Sequence, residues 1–289
     1  MLTVTLGLAG ALIYGGADFF GGLAARRSSA LLVTFFVALV GLVELLVAAV
    51  FVPATSSEAA WLYGAASGIA GGIGIGLLYG SLAIGPMSIL SPATAFVSAI
   101  VPVSVGLSLG EGGGTLFFIA ISLALIAVVL VGFVPETGAL RPRPLGVLMA
   151  VGSGTFIGFT IILIDMSPAD SGLIPLLANR MASSLMLLLA IVAVVATRFA
   201  RTRTPALPGL STIASSWQII VGAGVLDVLA NVVVLWGLRI GELSVMSVLI
   251  ALYPAGTILL ASVVLKERIA VIQWVGLGMA LAASALLSL

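Results

Sequence analysis

Residues 85–95 read GPMSILSPATA and residues 241–251 read GELSVMSVLIA. At an offset of 156 positions, Gly85, Ser88, Ser91 and Ala95 fall on Gly241, Ser244, Ser247 and Ala251. The match extends outward without a gap: Trp61 and Gly68 fall on Trp217 and Gly224, and Leu82 and Ile84 on Leu238 and Ile240. Downstream, Ala99, Leu109 and Glu111 fall on Ala255, Leu265 and Glu267, giving 11 identities over 61–111. At an offset of 139, Leu6, Gly7, Ala11, Gly15 and Phe20 fall on Leu145, Gly146, Ala150, Gly154 and Phe159. The chain is therefore read as two copies of one unit, residues 1–134 and 145–289, joined by a connection at 135–144 (PETGALRPRP).

The unit is written for lipid. Of 289 residues, 62% are hydrophobic and 7% charged, against about 45–50% and about 25% in a soluble domain. Apolar runs long enough to cross a bilayer, ~20 residues each, fall at ten places: 2–24, 31–52, 60–83, 87–109, 115–133, 145–165, 172–196, 216–237, 243–265 and 270–288. The first run is kept as a mature helix, because it has no basic n-region, contains Asp18 and has a counterpart in the second copy. Each copy holds five spans. An odd number turns the second copy over, which predicts an all-α membrane protein with a 5+5 inverted repeat and a substrate site near the midplane.

Absences narrow the chemistry. A net charge of +1 supplies no basic surface for nucleic acid. With no Cys and no His, thiolate chemistry, most zinc sites and Ser-His-Asp hydrolysis are excluded. The one Lys, Lys266, lies in a connection, so an intramembrane Ser-Lys dyad is excluded too. There is no P-loop. No enzyme activity, metal or cofactor is expected.

Ten helices in two inverted copies, a Gly-x-x-Ser-x-x-Ser run opening the fourth and ninth spans, and a Glu closing each of them (Glu111, Glu267) resemble the EamA family of drug/metabolite transporters. That resemblance implies gradient-driven movement of a small metabolite, such as an amino-acid-like solute or a drug, across the cell (inner) membrane. The alternative reading is a non-transporting scaffold or receptor subunit. It accounts for glycine-rich packing faces but not for charges within the spans.

Orientation follows from the basic residues. Nine lie in connections on one side: Arg26, Arg27, Arg141, Arg143, Arg198, Arg201, Arg203, Lys266 and Arg268. The other side has only Arg239. The positive-inside rule puts the first side in the cytoplasm and both termini outside, the reverse of what the family resemblance implies.

Three features within the spans carry expectations. Gly64, Gly68, Gly72, Gly76 and Gly80 recur every fourth residue of the third span and form one close-packing face. The first and sixth spans have matching small faces at Gly7, Ala11 and Gly15, and at Gly146, Ala150, Gly154 and Gly158. Pro92 and Pro102 in the fourth span and Pro254 in the ninth are expected to interrupt both helices, with the freed backbone lining a cavity.

Ionisable groups inside spans are functional candidates. Asp227 with Asn231 one turn on is read as the polar floor of the substrate cavity. It faces the bare glycine wall of the third span, and Asp227 is the leading proton-coupling group. Tyr14, Tyr253, Asn179 and Ser91 are the other expected substrate contacts. Glu44 and Arg180 each lie about eight residues from the outer ends of the second and seventh spans, ~12 Å deep, and are expected to form an ion pair. Asp18 is the alternative coupling carboxylate. Asp165, at a span end, is read as interfacial.

Overall fold

The structure is a computed structural model describing residues 1–133, 142–202 and 210–288; the side chains of Met87, Ser88, Arg201, Thr202 and Ser211 are outside the description. The expected connection at 135–144 therefore lies outside it up to Arg141, as do Arg203, Pro205 and Pro208. Among the described residues there are helices and no strands.

The helices are α1 (Leu2–Ala25), α2 (Ala30–Ala48), α3 (Glu58–Ile84), α4 (Met87–Ser108), α5 (Thr115–Gly132), α6 (Pro144–Asp165), α7 (Ile174–Thr202), α8 (Leu210–Ile240), α9 (Leu243–Ile250), α10 (Tyr253–Val264) and α11 (Val271–Leu287). Eight of them, and α9 with α10 together, are long and apolar enough to span a bilayer, while α11 is a shorter apolar helix. The chemistry of the ends is local. Ser57 caps α3 by accepting from the Ala60 amide at 3.2 Å. Pro144 opens α6 where its missing N–H costs no bond.

The expectation about prolines is half corrected. The ninth span is broken between α9 and α10, with Pro254 in the first turn of α10. Its ring would collide with the carbonyl four residues back, that of Ile250, where α9 ends. The fourth span is not broken: α4 runs continuously through Pro92 and Pro102. Pro102 packs against Gly158, where a Cβ would come to 3.0 Å of the ring, so the contact with α6 holds this part of α4 in line.

Helix packing follows the glycines. α3 lies on α6 and α7, α8 on α1 and α2, α4 on α6, α10 on α1, and α5 on α11. A Cβ at Gly15 of α1 would stand 2.6 Å from the Tyr253 carbonyl of α10. A Cβ at Gly154 of α6 would stand 2.6 Å from the Thr94 carbonyl of α4. Such faces let backbones touch where a lipid-embedded helix pair has no hydrophobic effect to draw it together. The third-span face is not one surface. Gly64 and Gly68 meet the α7 backbone at Pro175 and Asn179, Gly72 meets Met186, Gly80 meets Met149 of α6, and Gly76 has nothing within 4 Å.

The start of α1, the end of α11 and the turns at 49–57, 109–114, 166–173 and 241–242 lie on one side, called here the terminal face. The Thr55 amide bonds the Asp170 carbonyl at 2.9 Å, and Gly241 abuts Thr3. The opposite, basic face holds Arg26, Lys266, Glu267 and Arg268. The two larger apolar clusters are weighted to the terminal half, with Leu45, Leu173, Leu238, Leu243 and Met246 in one and Val4, Val103, Val245 and Leu249 in the other. The basic half has a small cluster around Ala24, Val33 and Ile220.

Candidate functional site

The sequence expectation pairs Arg180 with Glu44. The structure pairs Arg180 of α7 with Asp227 of α8 instead. The guanidinium passes over Gly41 of α2, where a Cβ would lie 3.6 Å from Nε. A side chain larger than hydrogen at 41 would crowd that path. Glu44, one turn further along α2 and half-buried, stays within electrostatic range of both partners. The side chains of Arg180 and Asp227 are largely enclosed, at 14% and 20% exposure. Removing either partner would therefore strand a charge away from water.

Asp18 differs. On α1, Gly7, Ala11, Tyr14 and Asp18 share one helical face. Gly7 meets Leu249 of α9, and Ala11 is buried, so this face is turned into the protein. Yet Asp18 itself is exposed. Its carboxylate therefore opens onto a space between helices and not onto lipid. It lies within electrostatic range of Asp227, and Tyr14 and Tyr253 lie within range of it. Gly21 and Gly22, one turn towards the basic face, have no neighbour within 4 Å.

The other expected contacts divide. Asn231 turns its amide back to the Asp227 carbonyl of its own helix, at 2.7 Å. Asn179 donates to Ser67 of α3 at 2.7 Å, and the Ser67 hydroxyl donates to the Gly64 carbonyl at 2.7 Å. Asn179 thus serves the α3–α7 contact. Ser91 is half-buried in α4, and no described bond ties it to this cluster. The glycine wall expected opposite Asp227 is largely covered, Gly64, Gly68 and Gly72 by α7 and Gly80 by α6, and only Gly76 of the five is left open. The apolar groove of about 490 Å³ between α3 and α6, lined by Ile69, Ile73, Phe156, Phe159, Leu163 and Met166, includes none of the polar candidates. All four Trp are exposed, as for residues facing lipid or its interface.

The model of the EamA-like transporter family matches residues 144–289, half of the chain, beginning at the first residue of α6. The chain belongs to the EamA-like transporter family. Through it this EamA-like chain belongs to the drug/metabolite transporter superfamily, and it is a multi-pass membrane protein. No curated protein matches its sequence. A crystal structure described only as "Crystal structure of protein" superposes with a TM-score of 0.73 at 15% identity, covering 99% of this chain and 96% of that one. That likeness is one of fold.

Sequence reasoning missed one polar centre of the EamA-like chain. Glu111, in the turn after α4, accepts from the amides of Leu243 and Ser244 at 2.7 and 2.8 Å and from the Ser244 hydroxyl at 2.7 Å. It caps α9 from the other half of the chain. The signal was present, since the offset of 156 aligns Glu111 with Glu267 and Ser244 with Ser88 together.

Proposed function

We propose that this protein is a secondary transporter that moves a small solute by alternating access, its two five-helix halves, 1–134 and 145–289, forming an inverted repeat. The observation that carries the reading is Asp18, an accessible carboxylate on the inward face of α1 beside the enclosed Arg180–Asp227 pair. A scaffold has no use for a charge held open within its spans, where it costs ~2.5–3.5 kcal/mol on insertion scales.

The packing supports the repeat. Exchange the halves, so that α1 stands for α6, α2 for α7, α3 for α8 and α4 for α9–α10. The α1–α8 contact then becomes α6–α3, α2–α8 becomes α7–α3, and α10–α1 becomes α4–α6. All of these contacts are present. The aligned glycines agree: Gly68 meets the α7 backbone and Gly224 meets α2 at Val37 and Val40.

The cavity charge supports a solute class. Asp18, Glu44 and Asp227 stand against Arg180 alone, which favours a cationic or amine-bearing solute, or protons. Because Arg180 occupies Asp227, the coupling role passes to Asp18. Tyr14 and Tyr253, within electrostatic range of it, are the neutral contacts. The nine-to-one distribution of basic residues places the basic face in the cytoplasm. The cavity of this conformation then opens inward.

The test is binding and flux on the purified protein. Amine-bearing metabolites are screened by thermal shift, since a ligand of the folded state raises the melting temperature. A hit is then followed into proteoliposomes. Asp18→Asn is expected to keep the fold and abolish pH-dependent flux. Wild-type flux with an unchanged pH profile would remove Asp18 from the mechanism. No binding and no flux for any solute would favour the scaffold.

A further inference from the structure

We infer that Glu111 and Glu267 are paired latches, one for each face, and that only one is engaged at a time. The inference rests on the alternating-access reading. Glu111 is engaged here. Its carboxylate closes on the first turn of α9 through three hydrogen bonds of 2.7–2.8 Å. An anion there meets unpaired amides and the positive end of the helix dipole. The bond joins the end of α4 to the start of α9 and so ties the two halves together across the terminal face.

The seat is shaped for this carboxylate. Gly110 and Gly112 have φ of +92° and +122°, a region that favours glycine, and they bracket Glu111 and turn it back towards the bundle. Gly106 faces it: a Cβ there would stand 2.8 Å from Glu111 Cδ and 3.1 Å from the Ser244 amide.

Glu267 holds the aligned position in the second copy, and it is disengaged. It is 54% exposed and pairs with Arg26, itself 65% exposed, at 3.6 Å. By the same alignment its seat is the first turn of α4, at Met87 and Ser88. When the basic face closes, Glu267 leaves Arg26 and caps α4, and Glu111 releases α9. The latches are unequal. Ser262 stands where the first copy has Gly106, so the second seat is narrower and the resting protein keeps its terminal face shut.

The chain contains no Cys, so one introduced thiol reports on one place. Ser247→Cys sits one turn beyond Ser244, buried, replacing a hydroxyl with no partner. Gly76→Cys sits in open space on the basic side. Each is labelled with a maleimide in the full-length protein, without any solute. Adding Glu111→Gln should raise the labelling rate of Ser247→Cys at least tenfold and lower that of Gly76→Cys. Adding Glu267→Gln should do the opposite, and the double variant should return both rates towards the parent. Gly106→Ser, which crowds the seat and keeps the carboxylate, should act like Glu111→Gln and serves if that variant does not fold. Unchanged rates in folded Glu111→Gln and Gly106→Ser would make Glu111 a fixed helix cap and overturn the inference. Because labelling needs no solute, shifted rates without flux in proteoliposomes would uphold the latches and overturn the transport reading.

Discussion

The terminal and basic faces are built from aligned sequence but packed differently. On the terminal face, Thr55 bonds Asp170 at 2.9 Å, and Arg239 bonds Ser171 Oγ at 3.0 Å and the Gly172 carbonyl at 3.2 Å. Glu111 closes on α9, and Gly172, at φ +54°, lies against Pro53 and Ala54. On the basic face, the described ion pair is the exposed one between Arg26 and Glu267. Within the helices, the described glycines with open space beside them, such as Gly21, Gly22, Gly76 and Gly222, lie in the basic half, whereas the open terminal-side glycines, Gly110 and Gly114, lie in a turn. On the proposed repeat, aligned stretches of sequence thus occupy two environments at once. A protein that exchanges those environments needs no second fold, only bonds on each face weak enough to break. The predictions test that difference where it is deepest first.

The largest effect is expected at the pair between the faces. Arg180→Gln or Asp227→Asn strands a charge in a confined site, a loss of about 3–5 kcal/mol for a buried pair. The partial exposure of both side chains puts the expectation at the lower end. Thermal unfolding of detergent-purified protein should show a large drop for each single variant. The double variant should recover much of it. Additive losses would mean that the two charges act independently.

Glycine substitutions come next, because they separate the tied half from the open one within a single helix. Gly68→Leu drives a side chain into the α7 backbone at Asn179, whereas Gly76→Leu enters space with nothing within 4 Å. Overpacking costs ~1–3 kcal/mol or more when backbone is in the way. Gly68→Leu should lose expression and melting temperature, and Gly76→Leu should retain both. Equal damage would show that the basic side is as tightly packed as the terminal one.

Much of this fold is legible in the sequence, for a physical reason. Lipid demands long apolar helices, so the ten runs read from composition reappear as helices, from 2–24 as Leu2–Ala25 to 270–288 as Val271–Leu287. The small faces are legible too, since Gly15 and Gly154, aligned by the repeat, both meet helix backbone. Rotation about a helix axis is not legible. Depth places Glu44 and Arg180 at comparable levels, but the opening at Gly41 that carries the guanidinium past α2 to Asp227 depends on how three helices are turned. Prolines mislead similarly: Pro254 breaks its span, while Pro102 is held in line by a neighbour the sequence does not name. Glu111 is legible only as the residue that closes the fourth span; its role as a cap appears once the start of α9 is seen beside it.

The smallest effect is expected at Arg26. Its bond to Glu267 spans 3.6 Å, and both side chains are more than half exposed. Water and salt screen such a pair, and holding two long side chains together costs entropy, so exposed pairs contribute about 0–1 kcal/mol. Arg26→Ala should therefore leave the melting temperature nearly unchanged at low and high salt. The comparison turns on this near-absence of effect. If the basic face were held shut by its own bonds, as the terminal face is by Glu111, losing Arg26 would cost as much as losing a terminal-face bond. A drop for Arg26→Ala matching that for Arg239→Ala would show that the two faces are equally tied.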